Sequence, residues 1–261
     1  MALVFGPVLL YLCHLGGIPL LVMIEILLLM SLWEFYSLSR IKLYFWQKLL
    51  LSLLILFFPY SIQQLGGSYL TEALIAGVIL ATLPYTFSKS LGDVGRSMAM
   101  STLAGIYLTV GFSSLILISK LYMITPKNPG NWLIFLFGTL WIADTAAYFF
   151  GWKFGKTKLS PAISPNKTVV GFIGGLGGAI LSAAIFNYVF LADVGFVNLI
   201  LPGLVVAFFG QLGDLAESIF KREMGVKDSS NIIPGHGGIL DRFDSLVFAA
   251  PVLYLYLKWI Y

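Results

Sequence analysis

The stretch "LLLSLLILFF", residues Leu49–Phe58, contains a single polar residue, Ser52, among large apolar ones. A strand that crosses a membrane within a β-barrel alternates apolar and polar residues, whereas this run is apolar on every side. Such a run is typical of a helix that contacts lipid or other helices around its whole circumference. The stretch therefore predicts a transmembrane α-helix.

The whole chain has the same character as this stretch. Its 261 residues are 59% hydrophobic and 11% charged, and the mean hydropathy is +0.92, whereas soluble domains have about 25% charged residues. A helix needs about 20 apolar residues to cross a bilayer. Candidate spans are Ala2–Leu15, Ile18–Leu38, Leu49–Ile62, Leu70–Phe87, Met98–Ile118, Trp132–Phe150, Val170–Ala192, Val197–Phe220 and Phe243–Ile260. We predict an all-α polytopic membrane protein with about nine transmembrane helices, about five in residues 1–125 and four in a catalytic region, 126–261.

The basic residues predict the orientation of these spans. Most of them follow the second, fourth, sixth and eighth spans: Arg40, Lys42, Lys48, Lys89, Arg96, Lys153, Lys156, Lys158, Lys167, Lys221, Arg222, Lys227 and Arg242. The positive-inside rule therefore predicts a cytoplasmic N-terminus and an external C-terminus. Because no Lys or Arg precedes Arg40, the first segment lacks the basic region of a signal peptide, and we expect it to be retained. The net charge of +4 is explained by this topology, and the chain has no basic stripe with aromatics that would indicate nucleic-acid binding.

Acidic residues within apolar segments are the first sign of chemistry. An ionised side chain in hydrocarbon costs about 3 kcal/mol or more, so these residues should face the bundle interior, water or a cation. Asp144 and Asp214 each lie shortly before a polar cytoplasmic loop, which favours a functional role. For Glu34, near a cytoplasmic helix end, we expect snorkelling or a structural role, and the role of Glu25 stays open.

The residues Asp214, Glu217, Ser218 and Lys221 have the spacing i, i+3, i+4 and i+7. This spacing places them on one face of a helix. Asp241 and Asp244 are likewise i and i+3 at the start of the last span. Carboxylates from two helices could thus surround a common space, and oxygen ligands of this kind suit Mg²⁺. On spacing alone, a structural network of paired charges is an equal alternative.

The segment "PGHGG", residues 234–238, lies between these two helices. Glycines allow a loop to present backbone N–H groups to phosphate oxygens, although a turn without a ligand is the competing interpretation. His236 within it could simply brace the turn.

A second loop contains Gly151, Gly155, Lys156 and Thr157, but this run has one residue too few for a nucleotide-binding P-loop and follows a membrane helix, so we reject that motif. The lysines of the same loop fit either ordinary positive-inside charge or attraction of anionic headgroups and triphosphate. Further along the chain, Gly171, Gly174, Gly175 and Gly178 predict close helix packing.

The run "SIFKREMGVKDSSNIIPGHGGILDRFD", residues 218–244, closely resembles the signature of the phosphatidate cytidylyltransferases, also called CDP-diglyceride synthases. The matching residues are Ser218, Lys221, Arg222, Lys227, Asp228, His236, Gly237, Gly238, Asp241, Arg242 and Asp244. The resemblance extends to "DTAAYFFGWKFGKTK" and "SPNKT" and covers the C-terminal half well. One departure is Val170, where the family usually has an acidic residue.

The resemblance implies transfer of CMP from CTP to phosphatidic acid in phospholipid biosynthesis, with CDP-diacylglycerol and pyrophosphate as products. It implies a metal centre at Asp214 and Asp241 with Asp144, holding Mg²⁺ and allowing a second, monovalent cation such as K⁺. Catalytic roles are implied for Asp214, Asp241, Asp244, Lys221, Arg222 and His236, and substrate binding for Lys167, Ser218, Lys227, Asp228, Gly237, Gly238 and Arg242.

The resemblance also implies a homodimer, and we expect it in a bacterial cytoplasmic membrane with the site facing the cytoplasm. The alternatives are a CTP-dependent kinase or cytidylyltransferase acting on a polyprenol or ether lipid, and a secondary transporter.

Overall fold

The computed structural model describes residues 2–38, 45–86, 94–121, 130–230, 232 and 237–260. Within them, the helices are α1 (Ala2–Leu15), α2 (Gly17–Leu38), α3 (Phe45–Gln64), α4 (Leu70–Thr86), α5 (Val94–Ser119), α6 (Gly130–Phe154), α7 (Val169–Val189), α8 (Phe196–Glu223) and α9 (Leu240–Ile260). Their bounds agree with the predicted spans to within about one helical turn. The prediction of an all-α polytopic membrane protein is confirmed.

Six of the described helices, α2 and α5 to α9, are long and apolar enough to cross a membrane. The apolar parts of α1, α3 and α4 are shorter, at Phe5–Leu15, Lys48–Gln64 and Leu70–Leu83. A short helix can still span a bilayer by local thinning or by packing against neighbours. The total of nine spans therefore stays a prediction for these three helices.

Two helices organise the interior of the bundle. Helix α5 packs against α2, α3, α4 and α9, and α6 packs against α1, α7 and α8. The largest fully buried side chains include Trp132 and Phe135 of α6 and Phe112 of α5. Many other large apolar side chains are exposed on the outside of the bundle, as expected where the surrounding solvent is lipid.

Helices α6 and α7 pack so closely that a methyl group would not fit between them. A Cβ added to Gly178 would lie 2.8 Å from Ala146 Cβ, and one added to Gly174 would lie 2.6 Å from Phe150 Cβ. The prediction that these glycines mediate close helix packing is confirmed.

A small hairpin that the sequence analysis did not predict connects α6 to α7. Strand β1 (Lys158–Ser160) pairs antiparallel with β2 (Ser164–Thr168). Thr168 then caps α7, because its hydroxyl oxygen accepts a hydrogen bond from Gly171 N at 3.1 Å. The same side chain lies where a Cβ of Gly151 or Gly155 would be, so these two glycines serve helix packing.

Candidate active site

Many of the described charged residues lie at one end of the bundle. Helix α8 ends there and α9 begins there, and the β1–β2 hairpin and the end of α2 lie beside them. The loop between α8 and α9 carries the glycine-rich signature, described at residues 224–230, 232 and 237–239. Residues far apart in sequence thus share one polar region at the end of otherwise apolar helices.

The predicted polar face of α8 exists in the structure. Ser218 Oγ donates to Asp214 Oδ1 at 3.4 Å, and Lys221 Nζ lies 2.6 Å from Glu217 Oε2. The side chains of Lys221 and Glu217 are only 10% and 2% exposed. Helical periodicity accounts for this part of the site, since residues three and four apart lie on the same face.

Lys221 also connects α8 to α9. Its Nζ donates to Asp241 Oδ1 at 2.7 Å, so one ammonium group lies between Glu217 and Asp241. Asp241 is itself 7% exposed. A buried ammonium needs such partners, because an isolated buried charge is strongly unfavourable. The two carboxylates therefore hold Lys221 at the junction of the two helices.

Asp241 binds the signature loop through its remaining acceptor positions. It accepts hydrogen bonds from Ser229 N at 2.9 Å and Gly238 N at 2.8 Å, and Ser229 Oγ lies 3.0 Å from its Oδ2. Gly237 has a positive φ of 78°, and a Cβ there would lie 2.6 Å from Asp241 Oδ2. The first signature glycine is thus required both by its backbone conformation and by the carboxylate beside it.

Glu34 of α2 is a site residue for which the sequence analysis expected only snorkelling or a structural role. It is fully buried, and within the described residues it accepts four hydrogen bonds, which come from the signature loop and the start of α9. Snorkelling is therefore wrong for Glu34, whose carboxylate points into protein. The only signal in the sequence was an acid in the last turn or so of an apolar helix.

The β1–β2 hairpin adds a second ion pair. Lys167 Nζ in β2 lies 2.7 Å from Asp214 Oδ2, and the two side chains are 25% and 35% exposed. Arg222 holds the hairpin in place, since its guanidinium donates to Ile163 O at 3.2 Å and to Val226 O at 3.0 Å. In this conformation Arg222 binds backbone carbonyls of the protein.

The carboxylates of the site outnumber the ammonium groups paired with them. Asp144, which is exposed on α6, and Asp244 of α9 both lie within electrostatic range of Asp214, and Asp244 also lies within range of Glu217. Together with Asp241 there are five carboxylates, against Lys167 and Lys221. Glu217 Oε1 is buried without a hydrogen-bond donor in the described part of the chain. Both features favour additional cations at this place.

The similarity to known proteins extends along almost the whole chain, beyond the residues of the site. The model of the cytidylyltransferase family matches residues 1–260. The chain belongs to the cytidylyltransferase family. It is similar to proteins named phosphatidate cytidylyltransferase from Staphylococcus haemolyticus (36% identical), Bacillus subtilis (38%) and Staphylococcus aureus (36%). Each match covers 96% of this chain and 93% of the relative. The family membership inferred from the signature is confirmed.

Asp144, Asp214 and Asp241 are the predicted metal ligands. The oxygen-rich set Asp144, Asp214 and Asp241 suits Mg²⁺, which also takes ligands from water and substrate phosphates. Among the described residues, however, no three His, Cys, Asp or Glu side chains form a group that could hold a metal. Instead, Lys167 and Lys221 contact Asp214 and Asp241. The carboxylate oxygens are suitable ligands for Mg²⁺. Binding of Mg²⁺ requires Lys167 and Lys221 to share or release these carboxylates.

The remaining predicted residues lie at the rim of the site or outside the described residues. Lys227 and Asp228 are exposed in the loop after α8, and Arg242 is exposed in the first turn of α9. Gly238 is buried against Glu34. His236 lies outside the residues that the structure describes, and its predicted role stays a prediction.

Proposed function

We propose that this protein transfers CMP from CTP to phosphatidic acid and releases pyrophosphate, so that it makes CDP-diacylglycerol for phospholipid biosynthesis. The observation that carries the proposal is the similarity of 96% of the chain to relatives named phosphatidate cytidylyltransferase. The site at the helix ends supports it, because it combines carboxylates, lysines and a glycine-rich loop beside the membrane.

The reaction requires no nucleophile from the protein. A phosphate oxygen of phosphatidic acid attacks the α-phosphorus of CTP, a new P–O bond forms, and the bond to the pyrophosphate group breaks. Catalysis then consists of aligning two anionic substrates and neutralising their charge. The exposed Lys227 and Arg242, with Lys167 at the hairpin, supply positive charge at the rim, where phosphates of both substrates would meet.

We assign the metal centre to Asp214 and Asp241, with Asp144 and Asp244 as supporting carboxylates. Mg²⁺ at this centre would supply charge stabilisation for the phosphoryl oxygens, and a monovalent cation such as K⁺ is a candidate second ion. Lys221 forms an ion pair with Asp241 and keeps this carboxylate oriented toward α8. Lys167 does the same for Asp214 from the hairpin.

The other signature residues shape the substrate pocket. Ser218 orients Asp214 through its hydroxyl, and Gly237 and Gly238 allow the loop backbone to approach the carboxylates. We assign Asp228 and His236 to this pocket by their place in the signature, and Arg222 to holding the hairpin against α8.

The position of the site relative to the bilayer suits a lipid substrate. We propose that the site faces the cytoplasm of a bacterium, that residues 126–261 form the catalytic region, and that the acyl chains of phosphatidic acid stay in the cytoplasmic leaflet. Asp144 and Tyr148 lie one turn apart on α6 and are both exposed, which supports lateral entry along this helix. We further propose a homodimer, as the resemblance to the family implies.

The decisive experiment uses purified protein, phosphatidic acid, Mg²⁺ and CTP in two labelled forms. Label in the cytosine ring should enter the lipid phase, and label in the γ-phosphate should appear in pyrophosphate. If only the γ-phosphate label entered the lipid, the protein would be a lipid kinase. Omission of phosphatidic acid is the control, and a polyprenol phosphate or an ether lipid in its place tests the alternative acceptors.

A further inference from the structure

Glu34 is a buried carboxylate whose described hydrogen bonds all come from the signature loop and the start of α9. Ser229 Oγ donates to its Oε2 at 3.0 Å and Ser230 Oγ to its Oε1 at 2.7 Å. Ile239 N and Leu240 N donate at 2.8 Å each. The partners lie on both sides of the glycine segment, so one side chain holds the two ends of this loop together.

The carboxylate of Glu34, which belongs to α2, lies beside the first N–H groups of α9, and this position strengthens the hydrogen bonds. The first N–H groups of a helix have no partner within the helix, and a negative charge is favourable beside them because of the helix dipole. Hydrogen bonds to a charged acceptor are also stronger than neutral ones. Glu34 therefore fixes where α9 begins, and Asp241 is the second residue of that helix.

A short path connects Glu34 to Asp241. Ser229 Oγ lies 3.0 Å from Glu34 Oε2 and also 3.0 Å from Asp241 Oδ2. A Cβ on Gly238 would overlap Ser229 Oγ and both carboxylate oxygens of Glu34, while Gly238 N donates to Asp241. Movement of Glu34 would thus displace two of the donors that orient Asp241.

We propose that Glu34 is a positioning residue for the cytidylyl transfer, which holds the signature loop so that Asp241 is presented to α8. The inference rests on the metal role proposed above for Asp241. It also means that the division of the chain at residue 125 does not separate the site from the N-terminal helices, since α2 supplies part of its support.

The test is the variant Glu34→Gln, which keeps the size of the side chain. An amide has one acceptor oxygen and an NH₂ group that donates, so two of the four donors would face another donor. Residues that orient a metal ligand typically contribute about 10- to 100-fold to metal affinity or activity. We expect the Mg²⁺ concentration for half-maximal activity to rise by about this factor.

Hydrogen exchange supplies a measurement that does not depend on activity. In purified Glu34→Gln protein without nucleotide, one of the amides of Ile239 and Leu240, the one that faces the new NH₂ group, should exchange about tenfold faster or more than in the wild type, because it loses its acceptor. The matched control is Ser31→Ala, a buried residue one turn earlier on α2 whose Oγ has no partner within the described residues. Ser31→Ala should change neither the Mg²⁺ concentration for half-maximal activity nor these amide exchange rates by more than about twofold.

The outcomes separate a positioning role from a structural one. Unchanged exchange, or faster exchange with an unchanged Mg²⁺ requirement in the folded enzyme, would overturn the inference. If Glu34→Gln fails to fold, Ser230→Ala removes only one donor and should shift both quantities in the same direction by less. A wild-type enzyme that works without Mg²⁺ would contradict the metal assignment instead, and the exchange of the loop would still decide the role of Glu34.

Discussion

Asp241 combines two tasks in one side chain. It accepts hydrogen bonds from Ser229 and Gly238 of the signature loop, and it pairs with Lys221 of α8. The loop contacts use Oδ2 for the shortest bonds, whereas Lys221 binds Oδ1. The two oxygens of this one carboxylate, which belongs to α9, thus bind both the signature loop and α8.

We predict that Asp241→Asn leaves a membrane-inserted protein with kcat/KM for CTP lower by about 100-fold or more, because charge stabilisation worth several kcal/mol is removed. The amide NH₂ would also face donors such as Lys221 Nζ. Steady-state kinetics over a range of Mg²⁺ concentrations measures this effect. Near-normal turnover at saturating Mg²⁺ would exclude Asp241 from the metal centre.

The matched control for this substitution is Glu223→Gln. Glu223 lies at the end of the same helix as Lys221, and its Oε1 is 3.8 Å from Arg96, with both side chains more than half exposed. Exposed ion pairs contribute about 0–1 kcal/mol, so this variant should retain its kcat/KM within about twofold. A large loss here would indicate that any charge change at this end inactivates the enzyme.

Periodicity predicted the local part of the site and missed its long-range part. The spacing of Asp214, Glu217 and Lys221 placed them correctly on one face of α8. The contact between Glu34 and Ser229 joins residues 195 positions apart, and no pattern in the sequence encodes such a pairing. Likewise, the spacing predicted that carboxylates of α8 and α9 could lie close together. It did not predict that Lys221 lies between Glu217 and Asp241.

At the scale of secondary-structure elements, the pair α6 and α7 positions the hairpin that carries Lys167. These helices approach closely because glycines line the contact. A Cβ atom added to Gly178 would lie 2.8 Å from Ala146 Cβ and 3.0 Å from Ile142 O. Within lipid, helix association depends on such close packing, since burying apolar side chains has little advantage there. The glycines of α7 are therefore structural.

We predict that Gly178→Ala lowers the free energy of unfolding by roughly 1–3 kcal/mol, the usual effect of overpacking. Thermal unfolding of the purified protein in detergent would show this as a lower Tm. Activity should fall less than in Asp241→Asn, because the residues of the site are unchanged.

The adjacent Gly177 provides a matched control, because it is exposed on α7 and lies outside the contact with α6. A Cβ there has no neighbour within 4 Å, and alanine is favoured over glycine in a helix by about 0.5–1 kcal/mol. Gly177→Ala should therefore leave Tm unchanged or raise it slightly. An equal loss of stability in both variants would mean that helix packing is not the cause.

The sequence predicted the helices better than the connections between them. Long apolar segments such as Trp132–Phe150 specify helices because lipid excludes unpaired backbone groups. The hairpin at Lys158–Thr168 lies in a polar segment with two prolines, Pro161 and Pro165, and its strands are too short for a pattern of alternation to be recognised. Its position depends on contacts with Arg222 that only the folded chain contains.

At the scale of the whole molecule, charge is concentrated at one end of the bundle. Of the described basic residues, the following lie at the end that carries the site: Lys48, Arg96, Lys153, Lys156, Lys158, Lys167, Lys221, Arg222, Lys227 and Arg242. Lys120 lies at the other end, where its Nζ donates to Ile62 O and Gln63 O of α3, and Lys258 lies in the last turn of α9. The positive-inside rule thus predicts that the site faces the cytoplasm, where CTP is available.

Cysteine labelling in intact cells tests this orientation. Cys13 is the only cysteine of the chain and is buried, so Cys13→Ala provides a background without thiols. In that background we compare Ala162→Cys in the hairpin with Ala192→Cys in the loop after α7, since both positions are exposed and lie at opposite ends of α7.

A membrane-impermeant maleimide should label the Ala192→Cys protein in intact cells and the Ala162→Cys protein only after the membrane is opened. Labelling of both positions after permeabilisation shows that each thiol is accessible, so a difference in intact cells reports only the side of the membrane. The reverse pattern would place the carboxylates, lysines and signature loop outside the cell. Because a CTP-dependent enzyme could not work there, that result would contradict the proposed function as well as the orientation.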